Sequence, residues 1–355
     1  MQNPVLDLGI TLVLFLQNLG DWLALPMRAV SFLGDEEFFL MIMPILYWCV
    51  DAALGLRVGL ILLISAGLNH ALKLVFHAPR PFFYDRAVQT FDSETTFGAP
   101  SGHAQNSASV WGLIAAVTSH RLPSRRRLAW GLALLLVFLI GLSRLYVGMH
   151  FPTDVLLGWA AGFALVWGFR RLEPMLAARL KRLSLGDSIL AVFGASLVLV
   201  LVSALARLSL SAWTLPQEWL DLAVLAQPQE ALDPLALAGV FTSAGALFGL
   251  GAGALWLRSA GGFNAGGETW KRLARYPIGL VGVLLLWFGL GELFPRDEAL
   301  LSYLLRYLRY ALVGLWMSAA APALFIRLGL AQSEHSGRSV QAPTSPPRSQ
   351  IDRTI

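Results

Sequence analysis

Apolar positions along this 355-residue chain gather in continuous runs, separated by short charged or Pro/Gly-rich stretches. Nine runs stand out, at about 36–50, 54–76, 103–119, 127–147, 152–171, 187–210, 232–257, 275–294 and 300–328. A helix needs about 20 apolar residues to cross the hydrocarbon core of a bilayer. Barrel strands would alternate with a period of two, which these runs do not, so helices are the spanning element that fits. The pattern predicts an all-α fold: one polytopic membrane helix bundle with about nine transmembrane helices, the first of them the shortest. Residues 1–34 read differently. Asp7 and Asp21 interrupt apolar positions that recur at helical spacing, and no basic stretch precedes them. That predicts an amphipathic segment at the membrane surface rather than a cleaved signal peptide.

Composition agrees with a membrane protein. Hydrophobic residues make up 56% of the chain and charged ones 14%, against about 45–50% and about 25% in a soluble domain. The net charge of +5 would suit nucleic acid, but its distribution excludes that partner. Arg121, Arg125, Arg126 and Arg127 fall in one loop, Arg170, Arg171, Arg179, Lys181 and Arg182 in a second, and Arg258, Lys271, Arg272 and Arg275 in a third. These are alternate loops, whereas residues 211–231 hold no Lys or Arg. The positive-inside rule puts the basic loops and the C-terminus in the cytoplasm and the N-terminus outside. Cys49 is the one cysteine, so no internal disulfide forms. Residues 259–267 read as a flexible connector and 331–355, rich in Ser, Pro, Gln and Arg, as a disordered cytoplasmic tail. Gly239, Gly245, Gly249, Gly251 and Gly253 suit close helix packing.

Polar chemistry collects at three outer helix ends: Lys73 to Pro81 (KLVFHAPRP), Pro100 to His103 (PSGH) and Ser143 to Asp154 (SRLYVGMHFPTD). Lys73, Arg80 and Arg144 supply cations for the equatorial oxygens of a phosphoryl group in transfer. Ser101 and Gly102 precede an apolar run, where a helix N-terminus offers free N–H groups to an anion. His150 has Asp154 four residues on, a carboxylate that can fix its tautomer and leave the other nitrogen free to attack phosphorus. His103 can protonate the leaving oxygen and later activate water. Charge is balanced by side chains and amides, so the reading needs no metal and no cofactor.

The three segments match the signature of the type 2 phosphatidic acid phosphatase (PAP2) superfamily: K-x6-RP, PSGH and SR-x5-H-x3-D, here Lys73…Arg80-Pro81, Pro100-Ser101-Gly102-His103 and Ser143-Arg144…His150…Asp154. Every spacing is met. The resemblance implies phosphate binding by Lys73, Arg80, Ser101, Gly102 and Arg144, a general acid in His103, a nucleophile in His150 and an orienter in Asp154. It implies a PAP2-like core over 35–172, followed by additional transmembrane helices over 173–330. The soluble vanadium haloperoxidases of the same superfamily fit the hydrophobic pattern poorly. The nine-run layout, FGAPSGHAQNSASVWG and HFPTDVLLG are similar to the glucose-6-phosphatase branch, while the PS-x-HAQ stretch also resembles long-chain isoprenoid pyrophosphatases.

Other polar residues are open to more than one reading. His70 shares a helical face with Lys73, so it lines the pocket or packs between helices. Pro81 and Tyr84 are further candidates for the pocket lining. Asp85, Asp92 and Glu94 read as solvated loop charges. The expected protein is an integral, multi-pass membrane phosphatase with an extracytoplasmic site, acting on a phosphorylated lipid or an isoprenoid pyrophosphate among membrane lipids. The alternatives are hydrolysis of a soluble sugar phosphate and a phospholipid carrier that binds phosphate without turnover.

Overall fold

The computed structural model describes residues 3–295 and 297–334, whose regular elements are all helices, with one isolated β-bridge between Asn264 and Gln332. The chain begins with α1 (Pro4–Gln17), α2 (Ala24–Phe32) and α3 (Glu36–Pro44), the last running on through a π-turn at Ile45–Val50. Then come α4 (Ala52–Phe76), the single turn α5 (Pro81–Tyr84), α6 (Gly102–Arg121), α7 (Arg126–Tyr146) and α8 (Pro152–Leu180). The second half holds α9 (Leu185–Ser209), α10 (Gln217–Ala226), α11 (Ala238–Ser259), α12 (Thr269–Leu284), α13 (Leu290–Leu293), α14 (Leu300–Leu315) and α15 (Ala321–Arg327).

Local chemistry sets these boundaries. Asn3 caps α1 by accepting from Val5 N at 3.1 Å, with Pro4 at the first helical position, where a missing N–H costs nothing. Asp51 caps α4 by accepting from Leu54 N at 2.9 Å, and Ser184 caps α9 by accepting from Asp187 N at 3.1 Å. Among the described residues, seven helical stretches are long and apolar enough to cross a membrane: Ala52–Tyr84, Pro123–Tyr146, Pro152–Leu180, Leu185–Ser209, Ala238–Ser259, Thr269–Leu293 and Leu300–Arg327.

The expected count of nine was approximate, and two runs account for the difference. The run at 36–50 forms a short helix and a π-turn that stops at Asp51. The run at 103–119 is a full helix, α6, but a polar one. It packs against α4, α7 and α8, so its buried Gln105, Asn106, Ser107 and Ser109 face protein rather than lipid. Those residues find partners there. Asn69 Nδ2 donates to Gln105 Oε1 at 2.9 Å, Gln105 Nε2 donates to the Ser65 carbonyl at 2.8 Å, and Ser65 Oγ donates to Asn106 Oδ1 at 2.7 Å. Such bonds tie α4 to α6 where hydrophobic burial gives little drive between helices.

Small residues do the same for α11 and α14. A Cβ on Gly245 or Gly249 would run into the carbonyl of Tyr307 or Ala311, so these helices touch backbone to backbone. The connector at 259–267 is pinned rather than free. Buried Arg275 donates to the carbonyls of Ala265 and Gly266 at 2.7 Å each, and also to those of Leu330 and Trp48. Of the tail expected over 331–355, residues from 335 on lie outside the described residues. Ala331 is buried, and Asn264 N donates to the Gln332 carbonyl at 3.0 Å.

The first 34 residues pack on the helix bundle. α1 and the stretch Asp21–Phe32 meet at 88°, and both α1 and α2 pack on α7, burying Ile10 and Val13 while Leu8 and Phe15 stay exposed. This places the end of α2 and the turn before α3 beside the three polar segments.

Candidate active site

Each polar segment sits where the backbone changes direction. α4 ends in a left-handed His77, whose N–H returns to the Lys73 carbonyl at 2.8 Å, leaving Lys73 in the last turn. Arg80, extended, leads into α5 behind Pro81. Ser101 caps α6, and its own N–H donates to the Asp154 carbonyl at 3.0 Å, joining the second segment to the third. After α7 the chain reverses at Gly148, whose φ of 76° favours glycine and where a Cβ would run into the Gln89 carbonyl. The N–H groups of Met149 and His150 both return to the Arg144 carbonyl, at 3.2 and 3.3 Å. Pro152 then starts α8, and Asp154 Oδ2 accepts from Phe151 N at 2.9 Å.

These turns bring the side chains of Lys73, Arg80, Arg144, His150 and Asp154 into one buried cluster, with Ser101 at its edge. Arg80, Arg144 and His150 are 0% exposed. Arg80 Nη1 lies 3.4 Å from His150 Nε2, and Asp154 Oδ2 lies 3.5 Å from His150 Nδ1. A guanidinium only donates, so the Nε2 it faces carries the lone pair and Nδ1, beside the carboxylate, carries the hydrogen. Burial, and then Arg80, Arg144 and Lys73, hold the His150 imidazole well below its usual range, which keeps it neutral at neutral pH. His103, the second residue of α6, pairs through Nε2 with Asp35 Oδ1.

The cations differ in how fully they are engaged. Arg80 is saturated: it donates to the carbonyls of Thr96, Met149 and Phe97, to Thr96 Oγ1 and to Glu94 Oε2 at 3.0 Å. Lys73 Nζ donates to Thr96 Oγ1 at 2.7 Å. Arg144 Nη1 donates to Ser31 Oγ at 2.7 Å and Asp92 Oδ2 at 2.8 Å. Arg144 Nε and Nη2, however, are buried with no hydrogen-bond acceptor among the described residues, the nearest carboxylate being Glu94 Oε1 at 3.8 Å from Nη2. Buried donors left so are costly unless a ligand completes them.

Glu94 is therefore not a solvated loop charge, and Asp92, with 41% of its side chain exposed, is nonetheless paired with Arg144. Both carboxylates reach the arginines, because three buried cations need counter-charge. Tyr84 sends its hydroxyl to Asp7 Oδ1 at 2.7 Å and accepts from Asn3 N, so it fastens α1 to the loop. The His70 imidazole lies against Gly239 of α11, between helices, and Pro81 is buried at the start of α5. Gly102 faces Asn69, whose Oδ1 would lie 3.2 Å from an added Cβ.

Ser31, Asp35, Asp92, Glu94 and Thr96 complete the surroundings of the cluster, and sequence reasoning missed all of them as site residues. A faint signal existed for Asp35. It follows Gly34, where an added Cβ would sit 3.1 Å from His103 Cδ2, and a glycine at such a closure permits the approach. No group of three or more His, Cys, Asp or Glu side chains suited to a metal ion occurs among the described residues.

A family model described as the PAP2 superfamily matches residues 54–178, and one described as PAP2 superfamily phosphatase, transmembrane extension, matches 241–333. Glucose-6-phosphatase 3 of Bos taurus is 34% identical over 193 residues, covering 49% of this chain and 55% of that protein. The chain thus spans about half the length of that relative. Phosphatidylglycerophosphatase B of Bacillus subtilis (strain 168) is 33% identical over 158 residues, 42% of this chain and 75% of that one. A crystal structure of a transmembrane PAP2 type phosphatidylglycerolphosphate phosphatase from Bacillus subtilis aligns with a TM-score of 0.43 and 26% identity, covering 49% of this chain and 88% of the other. With two family matches and three quarters of a bacterial relative aligned at 33% identity, this multi-span membrane protein belongs to the PAP2 superfamily.

Proposed function

We propose that this chain is a metal-independent phosphatase that hydrolyses a lipid phosphate or a polyprenyl pyrophosphate at the non-cytoplasmic face, through a phosphohistidine on His150. The observation that carries the reading is the junction of Arg144 and His150. A fully buried arginine with two unpartnered N–H groups is joined by its backbone carbonyl to a histidine whose Nε2 lone pair faces Arg80.

In this reading Nε2 attacks phosphorus as the bond to the leaving oxygen breaks, and His103 gives that oxygen a proton. Water, deprotonated by His103, then displaces His150 from phosphorus and releases inorganic phosphate, restoring both histidines. Lys73, Arg80, Arg144 and the first amides of α6 take up the charge on the equatorial oxygens, which leaves no charge for a metal ion to balance. The outer-face location is supported by the basic loops, which lie at the opposite helix ends. A lipid is supported by the site's level, where apolar helices reach the interface, and by the relation to phosphatidylglycerophosphatase B.

A second reading, a soluble sugar phosphate, is favoured by the 193-residue match to glucose-6-phosphatase 3. Phosphate release from purified protein given phosphatidate, a polyprenyl pyrophosphate and glucose 6-phosphate, each with excess chelator, separates the readings. The expected result is release from a lipid substrate, undiminished by the chelator. Preference for glucose 6-phosphate selects the second reading, and no release from any substrate leaves a phosphate-binding carrier. Loss on chelation, restored by a divalent cation, contradicts the metal-free mechanism.

Asp35 enters as a positioning residue. The Asp35 carboxylate on His103 Nε2 orients the ring and opposes the burial and the Arg144 charge that otherwise favour the neutral imidazole, so it supports the form that donates to the leaving oxygen. Asp35→Asn is expected to slow turnover of an alkyl phosphate by roughly 10- to 100-fold. It should largely spare p-nitrophenyl phosphate, whose leaving group needs little protonation. An equal loss on both substrates would show a structural role only.

A further inference from the structure

Glu94 brings a carboxylate to the buried arginines. Its Oε2 accepts from Arg80 Nη2 at 3.0 Å and from Thr96 Oγ1 at 3.3 Å, and its Oε1 faces Arg144 Nη2 at 3.8 Å. One carboxylate thus spans the two buried arginines with both oxygens. The same Thr96 Oγ1 receives Lys73 Nζ, so the third cation joins through one hydroxyl. Burial alone would raise the Glu94 carboxyl, but Arg80, Lys73 and Arg144 outweigh it and hold it well below the usual carboxylate range. It is an anion at neutral pH. The Glu94 side chain keeps 22% of its surface exposed, unlike the arginines it bridges, so it has a way out toward solvent.

The loop that carries Glu94 is held from the second half of the chain. Glu94 N donates to Gln227 Oε1 at 3.2 Å, and Gln227 Nε2 donates to the Asp92 carbonyl at 3.2 Å. Thr90 Oγ1 reaches the Ala226 carbonyl at 3.3 Å, and Asp233 N reaches the Thr95 carbonyl at 3.2 Å. The end of α10 and the residues after it therefore set the position of the acidic loop. No residue of α10 or of 227–233 touches the two histidines in any hydrogen bond among the described residues.

We propose that Glu94 is a built-in competitor for the phosphoryl group: its carboxylate occupies the arginine pair in the free protein, and the substrate's phosphate displaces it. Gln227 then acts as the latch that sets how readily Glu94 leaves. This rests on the phosphate-site reading above and adds to it a determinant of affinity and a task for the segment after α9. A phosphate takes the carboxylate's place on Arg80 Nη2 and also reaches the Arg144 N–H groups that Glu94 only faces at 3.8 Å, so the arginines are not stripped of counter-charge as the carboxylate leaves. A substrate of low charge would displace Glu94 poorly, so the device favours a phosphomonoester dianion over a phosphodiester monoanion.

The test is orthovanadate binding to full-length protein in detergent, followed by titration calorimetry and by thermal melting, for wild type, Glu94→Gln and Gln227→Ala. Glu94→Gln is expected to bind vanadate roughly tenfold more tightly, since no charged competitor remains. Without vanadate it should melt below wild type, because the arginines lose their counter-charge, and its melting temperature should rise further on adding vanadate. Gln227→Ala, which keeps the carboxylate and frees the loop, should tighten binding in the same direction by a smaller factor. Equal or weaker binding in Glu94→Gln overturns the proposal and leaves Glu94 as a scaffold for the arginines. If Glu94→Gln does not fold, equal or weaker binding in Gln227→Ala overturns it alone. Failure of wild type to bind vanadate at all is a different outcome: it removes the phosphate site itself, and the competitor with it.

Discussion

Alanine at His150 is expected to abolish phosphate release, by roughly ten-thousandfold or more, while vanadate still binds. The two effects separate because the nucleophile and the phosphate cradle are different groups. In the proposed mechanism Nε2 supplies the bond to phosphorus, whereas Lys73, Arg80, Arg144 and the start of α6 supply charge and N–H donors. Removing the imidazole leaves the cradle intact. It also leaves the Asp154 carboxylate held by Phe151 N, so the turn into α8 keeps its cap. Turnover within tenfold of wild type would remove His150 as nucleophile. Loss of vanadate binding together with turnover would show that the ring holds the pocket open instead.

The second large effect belongs to Arg144. Its Nε and Nη2 are buried cationic donors at the site that have no acceptor among the described residues, so a phosphate gains most there. Arg144→Ala is expected to lower kcat/KM by roughly a thousandfold and to weaken vanadate by a comparable factor. Arg144→Lys should recover little. A lysine keeps the charge but cannot place two parallel N–H groups on one phosphate while also reaching Ser31 and Asp92. Single-turnover rates and vanadate titration on folded variants measure both. Near-normal kcat/KM in Arg144→Lys would mean that charge alone is used, and that the two open N–H groups have no part in binding.

The sequence carried much of this. Lys73, Arg80, Arg144, His150 and Asp154 were legible because each motif is local and its spacing survives folding: Arg144 and His150 meet across one turn, and His150 and Asp154 across the start of one helix. The helices were legible because lipid demands long apolar runs. The partners that arrive from elsewhere were not. Asp35 lies 68 residues before His103, and Ser31 lies 113 before Arg144, with no shared period to link them. Glu94 looked like any loop carboxylate because hydropathy cannot say whether a loop folds inward. Only the unmet charge of three buried cations explains its direction. The helix α6 was legible as the run at 103–119, but not that its Gln105, Asn106 and Ser109 face α4 and α8 inside the bundle.

The central claim is a covalent phosphoryl group on His150, and rapid quenching tests it most directly. Protein mixed with a substrate labelled in its phosphoryl group, stopped within one turnover and digested, should yield one labelled peptide, containing His150. His103→Ala should accumulate more of it, because the water step lacks its base. Turnover with no labelled peptide, or label on His103 in place of His150, would contradict the account.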